Sequence, residues 1–208
     1  MENEIFTPNL FHEYPLMVVI SGPSGIGKDT IVRILEQRQN SFCFVVTATS
    51  RDPRPNEIEG VDYIFVSKER FTEMIDNNEL IEYARVYNDF KGIPRKNVED
   101  ALKCGKDIIL RLDVQGATRI RALFPEAVLI FLAPENDEKW IERLQKRNTE
   151  SEEKIKIRRN AAHKELDSLP VFDYIVVNAT GKLDETVDCI MSIIHSEHHR
   201  IKHRRVNL

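Results

Sequence analysis

The sequence predicts an α/β fold, a central parallel sheet flanked by helices, and three observations carry that reading. Short runs of Val, Ile and Leu recur at strand length: LMVVIS (16–21), FCFVV (42–46), DIILRLD (107–113), AVLIFLA (127–133) and YIVVN (174–178). Apolar strands without polar alternation belong to sheets covered on both faces. Stretches of helical period separate these runs, at 28–38, 95–104, 115–123, 135–147, 151–168 and 182–199. The third observation is a glycine-rich turn that joins the first strand directly to the first helix.

The elements follow in order. Strand 16–21 runs into Gly22-Pro23-Ser24-Gly25-Ile26-Gly27-Lys28, and helix 28–38 opens at the lysine. Residues 47–93 then break the rhythm. Proline and charge in TSRDPRPNEIEG introduce the short segments VDYIFVS and ELIEYARVY around a helix KERFTEMIDNN, a pattern expected of a small antiparallel patch inserted on the main sheet. Strands 107–113 and 127–133 resume the alternation. A second excursion at 140–160 is rich in Lys, Arg and Glu and reads as a solvated helical hairpin; Ser151 with Glu152 and Glu153 marks a helix start. Gly181 precedes the last amphipathic run.

Composition bounds the function. A chain of 208 residues makes one compact unit, and 41% hydrophobic with 31% charged residues is ordinary for a folded globular protein. The net charge of −4 supplies no field that would draw a nucleic-acid backbone, so no nucleic-acid partner is expected. Cys43, Cys104 and Cys189 are odd in number, far apart and form no C-x-x-C, which indicates neither a disulfide framework nor a thiolate zinc site and favours a reducing compartment. The acidic start lacks a secretory pattern and the apolar runs are too short for a bilayer, so no membrane partner and a cytoplasmic location are expected.

The turn at 22–28 is a phosphate loop by pattern and context. Its glycines let backbone N–H groups converge on phosphate oxygens at a helix N-terminus, and Lys28 can reach the β- and γ-phosphates of a nucleotide. A hydroxyl normally follows the lysine to help hold Mg²⁺; here Asp29 stands there, with Thr30 one step later. Asp29 is either a magnesium ligand, directly or through water, or an acidic first-turn residue.

The insertion adds a second set. Arg51 and Arg54 lie three apart on a proline-stiffened stretch suited to clamping a phosphate dianion, with Tyr63 further along. Glu82 lies between apolar neighbours in LIEYA, where an unpaired carboxylate is costly unless a ligand donates to it.

The stretches SGPSGIGKD, TATSRDPRP, EGVDYIFVS, LIEYA, LDVQGA, RLQKRNTES and FDYIVVN, in that order, resemble the guanylate kinase family over residues 16–195. The resemblance implies a P-loop nucleotide kinase fold with a core of 1–46, 94–133 and 166–208, a GMP-binding insertion at 47–93 and a helical lid at 134–165. It implies phosphoryl transfer from ATP to GMP with Mg²⁺. Arg51, Arg54 and Tyr63 match residues that hold the GMP phosphate. Thr47, Glu82 and Asp113 match guanine-side residues. Lys28 matches the catalytic P-loop lysine, with Gly22 to Thr30 as the ATP-phosphate loop. Arg143, Arg147 and Arg158 match lid arginines, and Asn178 a position near the adenine.

Three departures stand out. Lys91 replaces a phosphate-binding tyrosine, Ile93 replaces a guanine-contacting hydroxyl, and Arg111 stands where an acid near the metal is usual. Asp29 and Arg111 are expected within reach of each other, as a matched exchange of charge. The resemblance is to the subgroup found in plant organelles and some bacteria. Two rivals are a P-loop kinase acting on a ribose phosphate and a non-catalytic guanylate-kinase-like binding module. The tail SEHHRIKHRRVNL, rich in His and base, is expected to be a frayed terminus without a zinc site.

Overall fold

The computed structural model describes residues 14–38, 41–55, 57–86, 88–146, 159–161 and 165–206. Five strands form one sheet: β1 (Met17–Ser21), β2 (Phe42–Val45), β7 (Asp107–Arg111), β8 (Val128–Ala133) and β9 (Tyr174–Val177), in the order β2-β7-β1-β8-β9. Every pairing in it is parallel. Successive side chains alternate faces, so each central strand feeds two cores. Val18, Ile20, Ile109 and Ile130 pack with Ile31 and Leu35 of α1 (Lys28–Arg38) and with Val187, Ile190 and Ile194 of α6 (Leu183–His198). Met17, Val19, Ile108, Leu110 and Leu129 pack with Val98 of α3 (Arg95–Lys103) and with Ala117 and Ile120 of α4 (Val114–Leu123). This two-sided burial is what the unbroken apolar runs predict. α5 (Asp137–Lys146) lies beside the phosphate loop.

The insertion carries its own sheet of β3 (Ala48–Thr49), β4 (Ile64–Phe65), β5 (Leu80–Val86) and β6 (Asp89–Pro94), with α2 (Lys68–Asp76) between β4 and β5. The order is β4-β3-β6-β5. Here the expectation of a purely antiparallel patch needs correcting. β3 pairs parallel with β4 and antiparallel with β6, so the sheet is mixed, and the two segments read from sequence do not pair with each other. Phe71 and Met74 of α2 pack with Ala48 and Leu80 into a separate small core. Ser67 caps α2 by accepting from the Arg70 N–H.

Two further expectations change. Cys43 on β2 and Cys104 at the end of α3 are paired as a disulfide, brought together because α3 packs along that edge strand; Cys189 is free. The C-terminal segment is docked rather than frayed. Arg204 is buried, donating to Glu197 at 2.7 Å, Asp173 at 3.3 Å and the Ala127 carbonyl at 3.3 Å, while Arg205 covers the Tyr14 ring at 4.0 Å. Two acids on neighbouring elements thus collect a cation that reads in sequence as part of a repelling basic cluster. Of the expected helix 151–168, 159–161 and 165–166 are helical and 167–168 form a turn, while 151–158 and 162–164 lie outside the described residues.

Candidate active site

The phosphate loop leaves β1 at Ser21 and enters α1 at Lys28. Gly22 has φ +139°, and a Cβ there would stand 2.4 Å from the Leu132 carbonyl oxygen, so only glycine lets the loop pass β8. The loop is braced from beneath. Asn178 donates from Nδ2 to the Ile26 carbonyl at 2.7 Å and accepts from the Thr186 hydroxyl at 3.2 Å. Its side chain is therefore committed to the loop and does not line the cavity above it. Trp140 of α5 donates its indole N–H to the Ser24 carbonyl at 2.9 Å, and Leu144 packs under Gly25.

One cavity of about 770 Å³ opens above this loop. Gly22, Ser24 and Lys28 line its phosphate-loop end. Arg51, Arg54, Tyr63 and Lys91 line it from the insertion, and Thr47, Glu82 and Asp113 complete it. Among the loop residues read from sequence, Pro23, Gly25, Ile26, Gly27, Asp29 and Thr30 do not line it: Ile26 is core, and Thr30 faces outward on α1. Arg143 donates to the Asn178 carbonyl at 2.8 Å and to Thr180 at 3.1 Å, away from the cavity. Arg147 and Arg158 lie outside the described residues.

Two cations of the insertion and one from the end of β7 form a cluster around one ring. Arg51 stands over Tyr63 at 4.9 Å, Lys91 at 5.2 Å and Arg111 at 4.5 Å. Glu57, unremarked in the sequence reading, holds Arg51 bidentately at 2.7 Å and accepts from the Arg54 backbone N–H at 2.8 Å. That fork fixes the guanidinium plane. Asp29 and Arg111 meet as expected, with Oδ1 3.0 Å from the guanidinium.

Glu82 and Asp113 face the other end. Asp113 is the N-cap of α4, accepting from the Gly116 N–H at 2.9 Å. Glu82 has a side chain only 4% exposed, and Arg119 of α4 donates to it at 2.8 Å, so a protein partner the sequence reading missed answers the buried carboxylate. A side chain added at Gly116 would come within 3.5 Å of both acids.

A model of the guanylate kinase family matches residues 14–197. Guanylate kinase 2, chloroplastic/mitochondrial, of Oryza sativa subsp. japonica is 44% identical over 195 residues, covering 93% of this chain and 68% of that protein. Guanylate kinase of Clostridium tetani is 42% identical over 189 residues, covering 91% of this chain and 89% of its own. The crystal structure of guanylate kinase from Anaplasma phagocytophilum superposes with a TM-score of 0.74 at 31% identity, covering 90% of this chain and 88% of that one. The chain belongs to the guanylate kinase family.

The charges of this family member's site are tuned mainly by burial. Burial lowers the Lys28 ammonium to about 8, with Asp29 partly opposing the shift, and Lys28 donates to the Gly22 and Pro23 carbonyls at 2.6 and 3.0 Å. Burial raises the Glu82 carboxyl; the Arg119 hydrogen bond opposes the rise and the Asp113 charge adds to it. Glu165 also lines the cavity and is raised by burial, with Lys28 opposing. Nothing around Glu165 in the sequence, HKELDS, marks it as a site residue. Arg119 had one legible signal, its place one turn and a half into the helix that LDVQGA opens.

Asp29 is the residue suited to a divalent ion. Mg²⁺ keeps most of its shell as water and phosphate oxygen and takes one or two carboxylates. A first-turn aspartate beside Lys28, one third exposed, fits that requirement. Among the described residues, no three His, Cys, Asp or Glu side chains form a metal-binding group, and no helix is long and apolar enough to cross a membrane.

Proposed function

We propose that this protein transfers the γ-phosphoryl group of ATP to GMP, giving ADP and GDP. The observation that carries the reading is one cavity lined by the phosphate-loop lysine, an arginine-tyrosine-lysine cluster and a buried glutamate. Lys28 neutralises charge on the donor phosphates, and Arg51, Arg54, Tyr63 and Lys91 orient the acceptor phosphate. Glu82 accepts from guanine N1–H and the 2-amino group, with Thr47 and Asp113 beside it. The acceptor oxygen is already ionised at neutral pH, so no general base is assigned. Mg²⁺, held by Asp29 and the phosphates, supplies further charge neutralisation when bound. Closure of the 47–93 insertion and the 134–165 lid onto the core excludes water, with Arg143, Arg147 and Arg158 arriving over the phosphates. The proposed setting is the cytoplasm.

ADP release measured by a coupled assay with ATP and GMP tests the reading. Turnover should require both nucleotides. Turnover with a ribose phosphate in place of GMP, or nucleotide binding with no turnover, would overturn it.

A further inference from the structure

Arg111 is the side chain that the family reading leaves unassigned. It ends β7, in register with Ile20 of β1, so it emerges one residue before the strand that launches the phosphate loop finishes. Its guanidinium meets three structures at once. On the donor side it pairs with Asp29 in the first turn of α1 at 3.0 Å. On the acceptor side it donates to the backbone carbonyl of Asp62 and covers the Tyr63 ring at 4.5 Å. The Asp62 corner is itself fixed, its buried carboxylate accepting from Arg33 at 2.7 Å and from the Ile58 N–H at 2.9 Å.

A purely structural clamp would have its donors satisfied. The Arg111 side chain is 11% exposed and lines the cavity, yet its Nε–H is buried without a partner among the described residues. That nitrogen is closed off, so a ligand in the cavity would meet the guanidinium through the remaining N–H groups of its terminal nitrogens, each of which already makes one protein contact. The charges around Tyr63 point to which ligand. Glu57 answers Arg51 and Asp29 answers Arg111, while Lys91 has no ion pair among the described residues, so the three cations around the ring are answered by only two carboxylates. That arrangement favours a dianion on the cavity side.

We propose that Arg111 is a third guanidinium of the acceptor-phosphate site, held in place by Asp29 of the phosphate-loop helix, so that one side chain joins the donor and acceptor ends. This rests on the GMP reading above. The exchanged charges are then one device: at the strand end this chain has a base serving the acceptor, and Asp29 orients that base through one oxygen while it stays the carboxylate suited to the metal.

The test is calorimetric binding of GMP and of guanosine, without ATP and with EDTA, to the wild type, Arg111→Met, Arg111→Lys, Asp29→Asn and the double variant Asp29→Asn/Arg111→Met. Arg111→Met should weaken GMP roughly 10- to 100-fold, the loss of one charge-assisted contact, and leave guanosine unchanged. Arg111→Lys should recover part of the loss. Asp29→Asn should change GMP affinity in the wild-type background and have no effect in the Arg111→Met background. Equal weakening of GMP and guanosine, unchanged GMP binding, or additive effects of the two substitutions would each overturn the proposal. Should Arg111→Met fail to fold, the comparison of GMP with guanosine in Arg111→Lys decides alone. Wild-type turnover of ATP with GMP is measured separately, so failure of the functional reading and failure of this inference give different results.

Discussion

Replacing Arg119 with methionine should move the acid limb of GMP use to higher pH. Glu82 accepts from guanine only when ionised, and burial already raises its carboxyl, with the Arg119 hydrogen bond opposing. Guanidinium and carboxylate lie 2.8 Å apart, with the glutamate 4% and the arginine 48% exposed. At an effective dielectric constant of about 20 the bare attraction is roughly 6 kcal/mol, but the half-exposed arginine is screened by water. A net contribution of about 1 to 2 kcal/mol remains, roughly 5- to 30-fold in the population of ionised Glu82. Methionine keeps the aliphatic length and removes the charge. The sign follows from the linkage: a higher Glu82 pKa means that kcat/KM for GMP begins to fall at a higher pH as acid is added. Stability moves the opposite way, since a carboxyl raised above its unfolded value is a penalty when ionised; the variant's deficit should be largest near neutrality and shrink toward acid. The assay is kcat/KM for GMP across about pH 5 to 8, with urea unfolding at the same points. Arg119→Lys should lie between the two. Parallel pH profiles for wild type and Arg119→Met would show that the pair does not keep Glu82 ionised.

AMP should be rejected by about 10⁴ to 10⁵ in kcat/KM relative to GMP, because adenine offers Glu82 neither the N1–H nor the 2-amino donor and leaves it only Arg119; comparable values would remove Glu82 from the base site. Lys28, lowered to about 8 by burial, is largely uncharged above that pH in the free protein, and phosphate draws its proton back. ATP binding at about pH 9 should therefore take up a proton, seen as a buffer-dependent calorimetric enthalpy that is lost in Lys28→Met. Arg204→Ala should lower urea stability by about 3 to 5 kcal/mol, since it leaves the buried Glu197 carboxylate without its main partner. Burial raises Glu197, but hydrogen bonds from Arg204 and Tyr174 outweigh it and hold the carboxyl below its usual value. The wild-type advantage should thus be full near neutrality and fade as pH falls through that depressed value; an unchanged unfolding midpoint would restore the frayed-tail reading.

The main sheet was legible because each of its strands is a dense apolar run and both faces are covered, so residue type alone reports position. β3 and β6 were not. Two residues show no period, and DFKGIP carries lysine, glycine and proline, so what makes β6 a strand is its backbone ladder to β5 and β3 rather than its side chains. The loop residues were legible as a set because their spacing serves one shape, but spacing does not say which side chains face the cavity. The resemblance matches Asn178 to a position near the adenine, and nothing in its spacing tells that its amide braces the loop. Partners across the fold were the least legible. Arg119 looks like a solvent cation on its helix, Glu57 sits in an unremarkable acidic run, and Cys43 and Cys104 are separated by 61 residues with no motif to link them. Such pairs appear only once two elements are packed.

Trp140 is the chain's single tryptophan, and its indole N–H rests on the Ser24 carbonyl of the phosphate loop. Indole emission responds to the polarity and hydrogen bonding of its surroundings, so the molecule carries its own optical probe at the place where a donor nucleotide would arrive. Stopped-flow fluorescence of the unlabelled protein can then time the filling of the loop without interference from a second emitter of the same kind. A Ser24→Ala change should leave the signal in place, because the indole is bonded to the backbone, whereas Trp140→Phe would remove both the probe and the bond that ties α5 to the loop.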